Sequence, residues 1–385
     1  MNRGMAMLVA GVLVAGCTTA PVASSRASGP PATPSQIPPT ASSAPLSSPT
    51  APGPSALAGI RFEQVVAAAS SDLDAAMAFS GGFLVGGCWL QSAGDSGGDC
   101  VNARILYSAD GRTWTDGVVS DPAGMHILGL ADTSLGLLAF GANQAPEPPL
   151  TRSVWRSTDG RRWEPFPVPA PASIVFTKAF VLAGRTVLVG LDSAYDLSVE
   201  SEVWATTDGR SWTSGKAPIT TKVAASPGLV AIGDGCVDLC PANTTIQVER
   251  SVDGLTWASD PPNLAMAGDR LRAVGSWAGQ AVTGGALTEG SASEAVVWYD
   301  ESGAWPAVVL DEGLGYSVQT IVDAGDRLLV IGHPDVGPNR AWLTSDGRTW
   351  EHSDPEGIED SYIQAWAGTH PLVVVESHSV WLLAD

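Results

Sequence analysis

The sequence predicts an all-β fold, a seven-bladed β-propeller of four-stranded antiparallel blades spanning residues 59–385. Three observations predict it. A Ser/Thr-x-Asp-Gly-x-x-Trp motif recurs at a period of about 47 residues, within the range of propeller blades. An apolar run ending in Gly precedes most copies. The composition, 44% hydrophobic with 43 Gly and 14 Trp, suits short strands joined by tight turns.

Residues 1–16 read as a processing segment outside the fold. Arg3 supplies a positive start, and Met5 to Val14 is apolar but too short to span a bilayer. The segment ends in Val14-Ala15-Gly16-Cys17, which resembles the bacterial lipobox. The resemblance implies export and a diacylglycerol thioether on Cys17, commonly with a further acyl chain on its amine. Each buried methylene contributes about 0.8 kcal/mol, so two or three chains hold where one does not. Residues 17–58 are almost entirely Pro, Ser, Ala and Thr, with Arg26 the one charged residue. Such a stretch lacks the apolar bulk to offset ordering entropy and favours extended conformations, as a tether would.

The motif appears as Ser108 to Trp114, Ser157 to Trp163, Thr206 to Trp212, Ser251 to Trp257 and Thr344 to Trp350. Its aspartates are Asp110, Asp159, Asp208, Asp253 and Asp346, spaced 49, 49, 45 and 93 residues apart, the last gap being two repeats. Asp300 to Trp305 is a degraded copy that keeps Gly303 and the tryptophan while losing the regular Ser and Asp positions. The motif's chemistry is structural. Ser/Thr and Asp accept from backbone N–H groups to close a turn, Gly supplies positive φ, and Trp returns to the apolar layer.

This motif resembles the Asp box, or BNR repeat, of the sialidase superfamily and related propellers. One residue departs from the family pattern, since the spacer between Asp and Gly is absent here. Two residues before the motif a strand tryptophan recurs at Trp155, Trp204, Trp298 and Trp342, with Leu106 and Glu249 in the other copies. Runs such as Phe83 to Gly86, Leu188 to Gly190, Leu229 to Gly233 and Leu328 to Gly332 supply a second strand. A helical solenoid is excluded because no apolar 3.6-residue period is sustained.

Six motif copies imply six blades, but the chain continues past Trp350. Ile363 to Trp366, Leu372 to Val375 and Ser379 to Leu382 repeat the first three strands of a blade. Ile60 to Val65 offers the missing fourth, so a seventh blade is closed by N- and C-terminal strands, leaving no open edge. Six blades is the alternative count.

Four cysteines beyond Cys17 form two local pairs, Cys88 with Cys100 and Cys236 with Cys240, and export favours disulfides over metal. Both pairs fall on loops at the end of the blades opposite the motif turns, the face on which propellers usually bind ligands, by analogy of fold.

A catalytic reading follows only from the sialidase resemblance, which implies an arginine triad, a Tyr nucleophile paired with Glu, and an acidic acid/base. Tyr316 and Glu312 are its local echo, while Arg61 lacks the family's surrounding residues. Arg112, Arg161, Arg210 and Arg348 belong to the motif turns, and Arg185, Arg272 and Arg327 are placed beside turns at the same end. Carboxylates crowd at Asp192, Asp196, Glu200 and Glu202, and at Asp234 and Asp238. They could hold calcium, the one ion entertained; otherwise no cofactor is expected. His126, His333, His352, His370 and His378 show no metal spacing.

With a net charge of −20 and lysine only at positions 178, 216 and 222, nucleic acid is excluded as a partner and the membrane is reached through the lipid alone. The acidic balance also argues against assembly factors of the kind that resemble basic-patched propellers of photosynthetic complexes. The expectation is a monomeric, extracytoplasmic, non-catalytic binding or scaffolding module for a protein or glycan, with a sialidase-like exo-glycosidase as the alternative.

Overall fold

The computed structural model describes residues 55–56 and 60–383, apart from 92–99, 144–151, 193–200, 218–221, 226–227, 234–246, 261–269, 290–291, 302, 312–314, 335–336, 359–362, 370 and 377. The chain divides into two units, Met1–Pro49 and Thr50–Asp385, and every described residue lies in the second. Cys17, Cys236, Cys240 and Glu312 fall outside the described residues.

The second unit is a seven-bladed β-propeller. Its strands form seven sheets, each with four antiparallel strands in meander order. Blade 1 runs Ser71–Phe79, Gly82–Leu90, Cys100–Ser108 and Trp114–Asp116. Five further blades begin with Met125–Thr133, Ile174–Leu182, Lys222–Ala225, Arg270–Trp277 and Tyr316–Asp323. Blade 7 takes Ala365–Ala367, Val373–Glu376 and Ser379–Leu383 from the C-terminal end and Phe62–Ala67 as its outer strand. Phe62 pairs with Leu383 and Gln64 with Trp381, so the ring is closed as the terminal strands predict. The count of six is excluded by the seventh sheet.

Two blades carry an added parallel strand. Val118–Val119 joins the outer edge of blade 2, and Ser55–Ala56 pairs with Glu351 and His352 of blade 6. Ser55 and Ala56 belong to the stretch that composition assigns to the tether; two backbone ladder positions outweigh low apolar content there.

The core is divided among the blade interfaces. Among the described residues there are seven apolar clusters, one for each interface. Between blades 1 and 2, for example, Leu84 and Ile105 meet Ile127, Leu137, Trp155 and Trp163. Trp155 and Trp342 of the third strands are 1% and 0% exposed. Fully burying a large apolar side chain contributes roughly 1.5–3 kcal/mol, so each interface is held mainly by a handful of such residues.

In a four-stranded meander the first-to-second and third-to-fourth turns share one end of the blade. The repeated Ser/Thr-x-Asp-Gly turns therefore sit at that end. At the opposite end lie the second-to-third loops and the entries to the first strands. Cys88 and Cys100 are bonded there, joining the second and third strands of blade 1 with a Cα–Cα distance of 5.6 Å.

Candidate functional site

The two ends of the ring use their polar groups differently. At the turn end the side chains satisfy their own backbone. Asp110 Oδ1 accepts from the N–H of Arg112 and of Thr113, each at 2.8 Å, and the hydroxyl of Ser108 donates to the same oxygen at 3.0 Å. The indole of Trp114 donates to the carbonyl of Gly111 at 2.9 Å. Gly111, Gly160, Gly209, Gly254 and Gly347 all take φ between 70° and 75°. The donated N–H groups, that of Thr113 first and then Arg112, hold the Asp110 carboxyl down at about 2. Asp208 is held at about 2 by the N–H groups of Ser211 and Arg210. Asp159 and Asp253 are lowered in the same way.

The degraded copy keeps the turn by exchanging roles. Asp300 stands where the other copies have Ser or Thr, and its Oδ1 accepts from the N–H of Gly303 at 3.0 Å. Ser157 Oγ takes the N–H of Gly160 in the same manner at 2.9 Å. The acceptor function is thus retained by a different side chain.

The opposite end is built by bulges. The first strands of blades 1, 2, 3, 5 and 6 each carry one extra residue against their partner strand: Asp74, Leu128, Thr177, Arg272 and Gln319. It is the third or fourth residue of the strand every time, close to the end away from the motif turns. All five are at least partly exposed. Bulges re-aim side chains and are common beside sites. Glycines on the facing second strands have close neighbours here. A β-carbon on Gly87 would stand 1.9 Å from the carbonyl oxygen of Asp72, and one on Gly190 would meet Ile174 at 2.5 Å.

Arg272 is corrected by this arrangement. It sits at a bulge near the start of its strand, away from the first-to-second turn at Ala278 and Gly279. The sequence shows it in an apolar segment with Arg270, and nothing local to that segment reveals the register.

A cluster of titratable side chains surrounds the bulge in blade 1. One ligand atom each of Asp72, Asp74 and His126 lies within 4.8 Å of the others. His126, 1% exposed, comes from the first strand of blade 2 and sets Nε2 3.0 Å from Asp74 Oδ2. Burial pushes the Asp72 carboxyl above its ordinary value, with the neighbouring Asp74 charge adding to this and His126 and His378 opposing it. His378 enters from the second-to-third turn of blade 7, where its Nδ1 meets the carbonyl of Ser71. On the third strand of the same blade the Arg104 guanidinium lies 3.6 Å from the ring centre of Trp89 and donates to Asp116 at 2.8 Å. His126 has no metal spacing along the sequence, yet the fold groups it with two carboxylates. Its 52 residues of separation from Asp74 hide a contact that only blade packing creates.

A cavity of about 390 Å³ opens on the rim of blade 2 at the same end, lined by Asp121, Arg152, Trp155, Phe166, Pro167 and Val168. Arg152 donates to the carbonyls of Val168 and Ala170 and covers the ring of Phe176.

Tyr316 is placed in the first strand of blade 6 and is 7% exposed. Its ring meets Trp342 edge-on at 5.6 Å, Arg340 covers it at 4.9 Å, and its hydroxyl reaches the carbonyl of Pro338 at 3.4 Å. Arg340 is itself paired with Asp354 at 3.1 Å. These contacts make Tyr316 part of the blade 5–6 core. The carboxylates Asp196, Glu200, Asp234 and Asp238 lie outside the described residues.

No family model matches the chain, and no curated protein does. Solved structures do. An acylaminoacyl peptidase of Pyrococcus horikoshii aligns with a TM-score of 0.52 at 7% identity, over 84% of this chain and 53% of its own, so the chain spans about half of that protein. The α-L-arabinofuranosidase Arb93A of Fusarium graminearum, bound to an iminosugar inhibitor, gives 0.42 at 17% identity, over 69% of this chain and 88% of its own. A fungal lectin, the six-bladed fucose-recognising Aleuria aurantia lectin, gives 0.42 at 14%, over 77% and 99%. At these identities the likeness is one of fold.

Proposed function

We propose that this chain is an exported, lipid-anchored binding propeller whose ligand meets the bulged end of the ring. The observation that carries this is the division of labour between the ends. The motif turns direct their carboxylates and hydroxyls at their own backbone, whereas the bulges leave Asp74, Thr177, Arg272 and Gln319 partly exposed around the axial strands. Cys17 and the stretch up to residue 54 would tether the domain to the membrane. On this reading the Asp-box resemblance concerns architecture, and the ligand is a protein or glycan outside the cytoplasm. The test is in-cell crosslinking from a photoreactive residue placed at Gln319, with one at Arg210 on the turn end as reference. Capture from position 319 alone supports the reading; equal or preferential capture from position 210 defeats it. Cys17→Ser should move the protein from the membrane to the soluble fraction, and retention there would contradict the anchor.

A second reading is favoured by one geometric fact. Asp72 and Asp74 bring two carboxylates together on one strand, an oxygen of each within 4.8 Å of the other, and retaining glycosidases work with a close carboxylate pair of this kind. A hydrolase acting on extracellular glycans would place its acid and nucleophile there, with buried Tyr316 outside the reaction. Fluorogenic glycosides turned over by the native chain and not by Asp74→Asn would establish it; no turnover on any of a broad panel leaves the binding reading.

A further inference from the structure

We propose that Asp72, Asp74 and His126 form a binding site for a zinc-class divalent cation at the junction of blades 1 and 2. Two carboxylate oxygens and an imidazole nitrogen, from two blades, already lie within 4.8 Å of one another. Ligand atoms about 2.0–2.2 Å from a zinc ion stand roughly 3–3.5 Å apart, so side-chain rotation closes the remaining distance. The backbone is arranged for it. Asp72 and Asp74, two residues apart on one strand, share a face by alternation, and the bulge between Leu73 and Ala75 leaves Asp74 without a ladder partner.

The composition of the cluster selects the ion. A His–Asp ion pair needs a single carboxylate, and Asp74 fills that part with Oδ2 at 3.0 Å from His126 Nε2. Asp72 is surplus to such a pair and sets a second negative charge beside the first, an arrangement a dication stabilises. The imidazole directs the choice away from calcium, which prefers an all-oxygen shell, toward zinc and its neighbours. Sulfur is excluded from the set. Cys88 and Cys100 come close to His126, but they are joined to each other. Three protein donors leave a fourth tetrahedral position on the solvent side, where Asp72 and Asp74 are partly exposed. The inference stands under either reading of function, because a cation there could orient a bound ligand or activate water.

The experiment uses the full chain, purified in detergent without reductant so that the disulfide stays closed. The protein is stripped with a chelator and dialysed against zinc, manganese or calcium salts, and bound metal is quantified. The expected result is one zinc per chain, bound more tightly than manganese or calcium. Affinity should fall at least 10-fold in Asp74→Asn and in Asp72→Asn. Cobalt(II) in place of zinc should give visible d–d bands that shift in His126→Gln. Should His126→Gln fail to fold by circular dichroism, the partly exposed Asp72→Asn decides alone. The assignment is overturned by absence of stoichiometric zinc uptake, by calcium uptake in preference to zinc, or by zinc uptake unchanged in both aspartate variants, which would place the ion elsewhere.

Discussion

A β-carbon on Gly141 would stand 2.1 Å from the carbonyl oxygen of His126. Gly141 lies on the second strand of blade 2, paired with Ile127 immediately before the bulge at Leu128. The close approach of the two backbones is what allows the bulge and fixes the strand that carries His126. Gly141→Ala forces backbone against backbone, where no flexible side chain can yield, and should cost about 2–3 kcal/mol. It should also weaken metal uptake at the blade 1–2 junction. Urea denaturation measures the first effect; a loss below about 0.5 kcal/mol would show that the strand shifts freely.

Arg250 of blade 4 and Asp300 of blade 5 form a cross-blade pair, Nη1 to Oδ2 at 2.7 Å. The Asp300 side chain is 9% exposed and that of Arg250 is 32% exposed. Removing the cation leaves a buried carboxylate, whereas removing the anion leaves an arginine whose side chain is about one-third exposed. Arg250→Met should therefore cost about 2–3 kcal/mol, and Asp300→Ser, which keeps an acceptor for Gly303 N–H, about 1 kcal/mol or less. Equal losses in the two variants would contradict this asymmetry.

Trp114 and Trp163 occupy the same motif position and make the same indole bond to a glycine carbonyl. They differ in burial: Trp163 is 1% exposed within the blade 1–2 core, while Trp114 is only partly covered. Trp163→Ala should cost roughly 3–5 kcal/mol and Trp114→Ala about half that, since cavity formation adds to lost transfer energy. Thermal melts of the two variants rank them, and the reverse order would refute packing as the motif's main contribution.

Acid should unfold the ring through its turns. A carboxylate held near 2 in the native chain, against an ordinary value near 4, favours folding while it is charged. That contribution is complete above about pH 4 and disappears as pH falls toward 2. Tryptophan fluorescence against pH should show a transition within this window. Asp110→Asn and Asp208→Asn should each reduce its steepness; a main transition above pH 5 would assign acid lability to other groups.

The fold was legible because propellers repeat. Each copy from Ser108 to Trp114 onward restates one turn, and Ile363 to Leu382 reads as a blade lacking one strand, so even the closure by Phe62–Ala67 follows from counting. The glycine at the end of each apolar run was visible too, but the bulges were not. A bulge is a mismatch between two strands, and neither strand alone records it. For the same cause Asp300 looks like a lost motif residue until its bond to Gly303 is seen.

The sequence by itself determined the all-β class, the blade period, the seventh blade and the Cys88–Cys100 bridge, because these depend on local periodicity and short spacings. Tertiary structure alone decided what meets at the far end of the ring. Asp72 and Asp74 are joined by His126 from the next blade and approached by His378 from the last. Such contacts arise from packing between blades, whose side-chain partners are set by sheet twist and bulge register rather than by distance along the chain.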